Sequence, residues 1–472
     1  MDRLKPAVLA LLLAALITLP LADSVFHIPI QVSDSLEAIV IAARYSSPGT
    51  LLADSATFST TTLRPMRYEQ TRWLLKTAAA TGFTYNGVFR AVHVALTLML
   101  VILFLLAIRV RRWMDAAAFT VAFPVLIGMH TFVAMLQEAF PVNHYAEVGV
   151  CALGVFILAQ QRPRWFFPLV VCVLLGFALS VIESGAMVWV VAICCAAARM
   201  CGMTRSSVIA ATLLLGAYLL ARHALGISSP GIGGHGSGFG GTFYSPEDLT
   251  QRFGAHPLGF MAYNVAGGLA SLLFSEPRQG VYSLVIAWNA GGPHPVLLIN
   301  LASSLATTAL LVWYGVTHLR AGRAAWSDSD RTFAVACTVM IVNAALNAAY
   351  IKDEIISVGG LFYAVAAFIA VRGMLESIPR RSIAASALIA LLLAADAGLW
   401  AFRAAGVHYV LRYDAFKTRN DWVEVLRPDK RDDWPADPEE LAITRRIRDE
   451  VIRRPVASPS FMPRWADRYW VE

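Results

Sequence analysis

Two carboxylates three residues apart, Asp34 and Glu37, follow the first apolar run and are the first groups along the chain suited to act on a hydroxyl. A carboxylate held beside an acceptor hydroxyl takes its proton as a general base or orients it. The same residues, Asp34-Ser35-Leu36-Glu37, also make a good helix-capping box, and a capping carboxylate is held rigidly enough to be functional too. Arg64 offers a planar guanidinium fork to phosphate oxygens, or is an interfacial arginine with its head among lipid headgroups. Arg222 and His223 end an apolar run on the side where Arg is otherwise scarce, which makes a lipid phosphate a candidate partner. His130, Glu138, Glu183 and the run Lys352-Asp353-Glu354 complete the candidates. Each has a plainer reading: His93 and His130 as buried structural histidines, Glu138 and Glu183 as satisfied core groups, Lys352–Glu354 as a solvated turn. Asp396, inside the last apolar run, is read as paired with Arg403 or held by its neighbours. Asp34, Glu37 and Glu138 offer oxygen donors that suit a divalent cation, but no spacing demands one and no metal ligand is assigned.

The elements that position these groups are apolar runs. The chain is 57% hydrophobic and 15% charged, with a mean hydropathy of +0.58, far from an ordinary soluble domain. A hydrocarbon core takes about 20 apolar residues to cross, and many windows qualify. The short hydrophilic breaks alternate in character. One set reads Arg109, Arg111 and Arg112; Arg162 and Arg164; Arg199 and Arg205; Arg320 and Arg323; Arg372, Arg380 and Arg381. The other set carries the carboxylates and histidines named above. Lys and Arg gather on the cytoplasmic side, so the alternation predicts an N-terminus inside and the candidate groups outside. It gives eleven spans, near 6–22, 87–108, 115–136, 146–160, 166–182, 185–199, 206–222, 295–317, 332–351, 355–373 and 383–402, and an extracytoplasmic C-terminus. Leu21-Ala22-Asp23 also suits signal-peptide cleavage; 6–22 is read as an uncleaved span, and its removal leaves the other spans where they are.

Residues 1–404 thus form one transmembrane domain. Its first extracytoplasmic loop, 23–84, is too long for a plain connector and holds two expected surface helices, 35–45 and 66–80. The second, 223–294, opens with a Gly-rich stretch that cannot be a regular helix, read as a lid or a linker, and continues into an interfacial or re-entrant element over 258–291. The tail 405–472, with Trp422, Trp434, Trp465 and Trp470, is expected to dock on these loops, being marginal for a core of its own. A net charge of +7 and a pI near 9.2 do not point to nucleic acid: the Arg clusters flank spans, where anionic lipid is the counterpart, and no basic soluble module appears. The six Cys lie in or beside apolar runs without metal-binding or disulfide spacing.

Four places share an order with a known family. The acidic pair Asp34/Glu37 follows the first span. Leu63-Arg64-Pro65-Met66 is followed by Trp73-Leu74 and Asn86…His93. The third span ends His130…Glu138, and Glu183-Ser184-Gly185-Ala186 stands after the fifth, with Ile182 where the family has Lys. Together they resemble the GT-C membrane glycosyltransferases, in the protein O-mannosyltransferase-like branch, over roughly residues 1–200, with a looser echo at Lys352–Tyr363. The resemblance implies an all-α polytopic fold and transfer of a sugar from a polyprenyl-phosphate donor to an envelope glycan or protein on the extracytoplasmic face of a plasma membrane. It implies Asp34, supported by Glu37, as the catalytic carboxylate, and Arg64, His130, Glu138, Glu183, Arg222, Lys352 and Asp353 as substrate-binding. The carboxylates are spaced DxxE where the family keeps them adjacent, which leaves open which one acts. Many members use a divalent cation and many do not. Fold-level likeness does not set function, and a flippase or transporter of a lipid-linked substrate, or a silent scaffold subunit of an envelope complex, remain the alternatives.

Overall fold

The apolar runs become helices because backbone N–H and C=O groups inside hydrocarbon must bond within their own segment. The structure, a computed structural model, describes residues 4–32, 34–45, 47, 49–50, 63–138, 140–227, 237–239, 242–254, 257–274, 287–292, 295–322, 325–378, 382–424 and 438–454. The helices are α1 (Leu4–His27), α2 (Asp34–Ala43), α3 (Pro65–Thr81), α4 (Tyr85–Ile108), α5 (Trp113–Gly128), α6 (His130–Leu136), α7 (His144–Ala159), α8 (Phe167–Val181) and α9 (Ala186–Ala197). They continue with α10 (Arg205–Ala224), α11 (Pro246–Phe253), α12 (Pro257–Phe274), α13 (Pro295–His318), α14 (Asp328–Leu346), α15 (Ser357–Ser377), α16 (Ile383–Glu424) and α17 (Pro438–Arg453). Three short strands, β1 (Ser237–Phe239), β2 (Thr242–Tyr244) and β3 (Tyr350–Ile351), form a small sheet in the order β2-β1-β3.

Among the described residues, seven helices, α1, α4, α10, α13, α14, α15 and α16, are long and apolar enough to cross a bilayer, and α5 with α6 makes an eighth if the pair, bent by 55°, is one span. The chain is a multi-pass α-helical membrane protein. Length and composition do not reach the expected eleven. The spans expected at 146–160, 166–182 and 185–199 form α7, α8 and α9, of 16, 15 and 12 residues. At 1.5 Å per residue these are about 18–24 Å long, short of a hydrocarbon core of about 30 Å.

Helix α15 is the axis of the bundle. Every residue from Ser357 to Val371 is buried, against lipid-facing α10, where Leu213 and Leu220 are largely exposed. Small residues let neighbours close on α15. A Cβ at Gly360 would stand 2.0 Å from Thr131 Oγ1, so this glycine lets α6 press against it.

On the carboxylate-bearing face a second core forms. The helices expected over 35–45 and 66–80 fold as α2 and α3. Ile39, Leu74, Ala78 and Phe89 pack with Trp422, Ile447 and Val451 of the tail. The expected domain boundary at 404/405 falls inside α16, a single helix of 42 residues. At about 63 Å it is twice the depth of a hydrocarbon core. Its far end brings Trp422 Nε1 to donate to the Ile30 carbonyl at 2.5 Å, while Arg44 of the first loop pairs with Glu440 of α17. Trp434, Trp465 and Trp470 lie outside the described residues, as do Arg323, Arg380 and Arg381.

The element expected over 258–291 is a helix, α12, as far as Phe274; 275–286 lie outside the described residues. Its first half meets the α14–α15 loop, with Asn264 donating to the Ala348 carbonyl at 2.7 Å. Its last turn, at Leu273, accepts a hydrogen bond from Thr308 in the middle of α13. It therefore runs from the level of the α14–α15 loop to the depth of mid-α13. Of the Gly-rich 231–241, only 237–239 are described; they pair in parallel with Tyr350–Ile351, next to Lys352.

Candidate functional site

Pro65 opens α3, since its missing N–H is unneeded in a first turn, and so places Arg64 at the N-cap. Glu183 begins a single 3-10 turn between α8 and α9. That turn is tight: a Cβ at Gly185 would lie 2.3 Å from the Ala178 carbonyl carbon. Arg222 sits in the last turn of α10, where a cation meets the negative end of the helix dipole. These three distant positions converge. Glu183 Oε2 accepts from Arg64 Nη2 at 2.5 Å and Nε at 2.8 Å, and Glu183 Oε1 from Arg222 Nη1 at 3.2 Å. Arg222 also reaches the Tyr218 hydroxyl, 3.3 Å away. Burial pushes the Glu183 carboxyl up, but the charge and hydrogen bonds of Arg64, with Arg222 behind, outweigh it and hold the group below the usual carboxylate range. Two guanidiniums on one carboxylate leave a positive surplus.

Next to them lies a buried pair. One turn into α3, the Arg67 guanidinium stacks on Phe140, 3.4 Å from the ring centroid. Burial and the neighbouring Arg64 charge lower its pKa. Glu138, just past the end of α6, is buried, and burial with the charge of Glu354 raises its carboxyl well above the usual range against the pull of Arg67. Among the described residues neither Arg67 Nε nor Glu138 Oε2 has a hydrogen-bond partner. Buried polar atoms are almost always paired, so two orphans on groups within electrostatic reach of each other mark a place for a polar ligand or water.

Asp34, exposed at the first turn of α2, lies within electrostatic reach of Arg67, Glu138, Lys352 and Glu354. Lys352 stands 3.8 Å from Glu354 and over the Tyr350 ring at 5.3 Å. Burial lowers its pKa, but the Tyr350 hydrogen bond and Glu354 raise it further, so Lys352 stays charged. His130 and Asp353 meet each other at 3.5 Å beside this cluster, and His130 Nε2 lies 2.8 Å from Ser271 Oγ of α12. Of the sequence candidates, Arg64, Glu183 and Arg222 contact one another directly, Asp34, Glu138 and Lys352 lie within electrostatic reach of Arg67 or of each other, and His130 meets Asp353, the neighbour of Lys352. Glu37 does not join them: exposed one turn along α2, it makes no ion pair with these groups among the described residues. Nor do three or more His, Cys, Asp or Glu converge among the described residues in a group able to hold a metal ion, Asp34, Glu37 and Glu138 included.

Sequence reasoning missed Arg67 and a dyad behind it. Gln70 Nε2 donates to Glu147 Oε1 at 2.6 Å, and Glu147 Oε2 meets His144 Nδ1 at 3.0 Å. His144 Nε2 is buried with no hydrogen-bond partner among the described residues. The His-x-x-Glu spacing puts both on one helix face and was readable as such. His93 is structural: it bonds Arg90 at 3.0 Å and the Pro141 carbonyl at 3.1 Å, while Arg90 ties down the carbonyls of Ile28 and Pro29. Asp396 accepts from Thr307 at 3.0 Å, and Arg403 donates to Ser303 and Ser304 at 2.8 and 2.9 Å. No protein-family model, curated protein or solved structure matches the chain.

Proposed function

We propose that the carboxylate-bearing face is extracytoplasmic and that its cluster transfers a sugar from a polyprenyl-phosphate donor to a hydroxyl of an envelope glycan or protein, as in GT-C enzymes. The observation that carries this reading is the cationic surplus of Arg64, Arg67, Arg222 and Lys352 around two orphaned buried atoms, with the exposed carboxylate of Asp34 within electrostatic reach. Guanidiniums held in place before the reaction stabilise charge as it develops on a departing phosphate. In the transfer step the acceptor oxygen bonds to the anomeric carbon and the bond from that carbon to the phosphate oxygen breaks. The electron pair leaves on the lipid phosphate, beside Arg64 and Arg222, and the acceptor proton passes to Asp34. Burial and the charge of Glu354 favour the protonated form of Glu138, which suits it to donate a hydrogen bond to the phosphate or sugar. Two carboxyl groups whose surroundings differ this much suit two different roles.

Asp34→Asn tests the assignment. A general base contributes about 10²–10⁴-fold to rate, so transfer from a labelled polyprenyl-phosphate sugar in membranes should fall by that factor. Asn caps helices about as well as Asp, so folding should be kept. Normal transfer by the variant would remove Asp34 from the mechanism. Orientation is checked independently: a Cys placed at the exposed Thr81 should label from outside the cell, and the native exposed Cys201 on the Arg-rich face should not. A transporter reading has its own observation, the Asp396–Thr307–Trp400 and Arg403–Ser303–Ser304 contacts buried among spans. Flipping of a fluorescent lipid-linked sugar by reconstituted protein, lost in Asp396→Asn and kept in Asp34→Asn, would favour it instead.

A further inference from the structure

A cavity of about 480 Å³ lies at the opposite end of the bundle, on the Arg-rich face. Its walls carry Arg109, Arg111, Arg112, Arg331 and Arg372, drawn from the end of α4, the α4–α5 turn, α14 and α15. Retaining positive charge on one side of a membrane needs no cavity; Arg162 and Arg164 serve that purpose on the same face without lining it. Here the arginines are fixed in place. Buried Asp115 accepts from the backbone N–H of Arg111 and Arg112 at 3.0 and 2.8 Å, and its other oxygen faces Arg372 at 3.7 Å. Arg112 takes a second carboxylate, Glu376, at 2.5 Å. Arg109 is held by the Gln160 carbonyl at 2.7 Å, and Arg331 by the Arg199 carbonyl at 3.3 Å.

The backbone here is held as well. Among the described residues, the non-glycine positions with positive φ are Arg109, at 54°, and Arg199, at 59°. Helices that end in this left-handed conformation usually use Gly or Asn. At this rim both positions are Arg, one lining the cavity and the other offering its carbonyl to a lining residue. Such backbone is retained where the surroundings over-determine it, and it concentrates at ligand clamps.

The charge is not balanced. Asp115 and Glu376 account for Arg112 and Arg372. Arg331 faces Asp328 only at 3.9 Å, that carboxylate is fully solvent-exposed, and Arg331 Nε is buried without a hydrogen-bond partner. Arg109 and Arg111 form no ion pair among the described residues. Burial and the charge of Arg111 lower the pKa of Arg109, as expected of cations facing each other across a space without an anion. Trp113, 60% exposed at the rim, marks headgroup level.

We propose that this cavity binds a phosphate group, with Arg109, Arg111 and Arg331 as its ligands. Guanidinium forks match the tetrahedral oxygens of phosphate, and a planar, apolar ligand would leave the three charges uncompensated. The group is a terminal phosphate, carried on a lipid headgroup or on a soluble molecule. The site stands apart from the cluster on the other face and does not depend on its function.

The test uses the full-length protein in phosphatidylcholine nanodiscs, with phosphatidic acid in the bilayer in one arm and inorganic pyrophosphate in solution in the other. Binding is read by native mass spectrometry and by the rise in melting temperature. Retention of phosphatidic acid with pyrophosphate inert assigns a lipid headgroup; pyrophosphate binding assigns a soluble phosphate. Either should weaken about tenfold or more in Arg109→Gln/Arg111→Gln and stay unchanged in Arg162→Gln/Arg164→Gln. If the double variant does not fold, Arg111→Gln alone removes an exposed side chain and serves in its place. Binding of neither probe, full binding by the cavity variant, or equal loss in the control variant would each overturn the proposal.

Discussion

The two ends of this bundle both gather arginines, but by different routes. On the loop-bearing face, Arg64 and Glu183 are 119 residues apart and Arg222 and Glu183 are 39 apart, and all three meet where the start of α3, the α8–α9 turn and the end of α10 converge. On the Arg-rich face the charges come mostly from short turns between spans, where topology alone calls for them. What separates chemistry from topology is burial and partnership. At the loop face the cations are buried against carboxylates, with Glu138 and Arg67 carrying orphaned atoms. At the other face the partners fix some arginines and leave others facing an open cavity. Arginines stand at both ends, so their presence alone does not tell the two apart; burial and partnership do.

The sharpest way to break this contrast is to remove the shared carboxylate. Glu183→Gln leaves Arg64 and Arg222 facing each other without their anion. Removing one partner from a mostly buried ion network costs about 3 kcal/mol. The variant should melt well below wild type in detergent and lose transfer activity, while phosphate binding at the Arg-rich cavity is unaffected. Equal stability to wild type would mean the three groups are solvated and only incidentally close.

A smaller loss is expected from Gly185→Ala. The added Cβ would sit 2.3–2.5 Å from backbone atoms of Ala178 and Leu179, so the turn that presents Glu183 must shift. Overpacking of this kind costs about 1–3 kcal/mol. If the turn merely connects two helices, stability falls and the remaining folded protein transfers normally. If it positions Glu183, activity per folded molecule falls as well, and measuring both on one preparation separates the cases.

How much of this was legible in the chain depends on the range of each interaction. Hydropathy belongs to single residues, so the long apolar helices and the segregation of Arg109, Arg111, Arg112 and Arg372 from Asp34, Glu138 and Glu183 read directly. The short α7, α8 and α9 read as spans too, since hydropathy does not see where the last turn unwinds. The continuation of α16 to Glu424 was readable and overlooked: hydropathy fades past residue 404, but no Pro and only one Gly, Gly406, interrupts the run. Arg67 was not readable as a site residue, because a charge in a mixed helix looks like a solvated face until Phe140 closes over it. The Glu183 network was half legible. Arg222 stood out against the local charge rule, but nothing in one sequence says which carboxylate it meets.

The acid pair on the loop face should also respond to pH in opposite senses. Glu183 has a depressed folded pKa: its stabilisation is present above its unfolded value, near 4.3, and is lost as pH falls through the folded one. Glu138 has a raised folded pKa: the native state holds the proton longer, so stability falls as pH rises from about 4.3 toward the folded value. Glu138→Gln abolishes that slope. Its melting temperature should exceed wild type at neutral pH and converge with it below about pH 4, while transfer declines. The opposite order at neutral pH would show that Glu138 is ionised there and serves as the partner of Arg67.

The smallest expected effect sharpens the comparison most. Asp34 and Glu37 begin the same helix, both exposed, and the sequence treats them as one acidic motif. The structure treats them differently: Asp34 lies in the field of Arg67, Glu138, Lys352 and Glu354, and Glu37 in none of the interactions that build the cluster. An exposed acid in a first helical turn contributes only weakly through the helix dipole, and exposed substitutions of this kind are close to neutral. Glu37→Gln should therefore melt with wild type and transfer within about twofold of it, where Asp34→Asn falls by orders of magnitude. A loss in Glu37→Gln comparable to that in Asp34→Asn would mean the two carboxylates act as a pair and that α2 turns toward the cluster when substrate is bound.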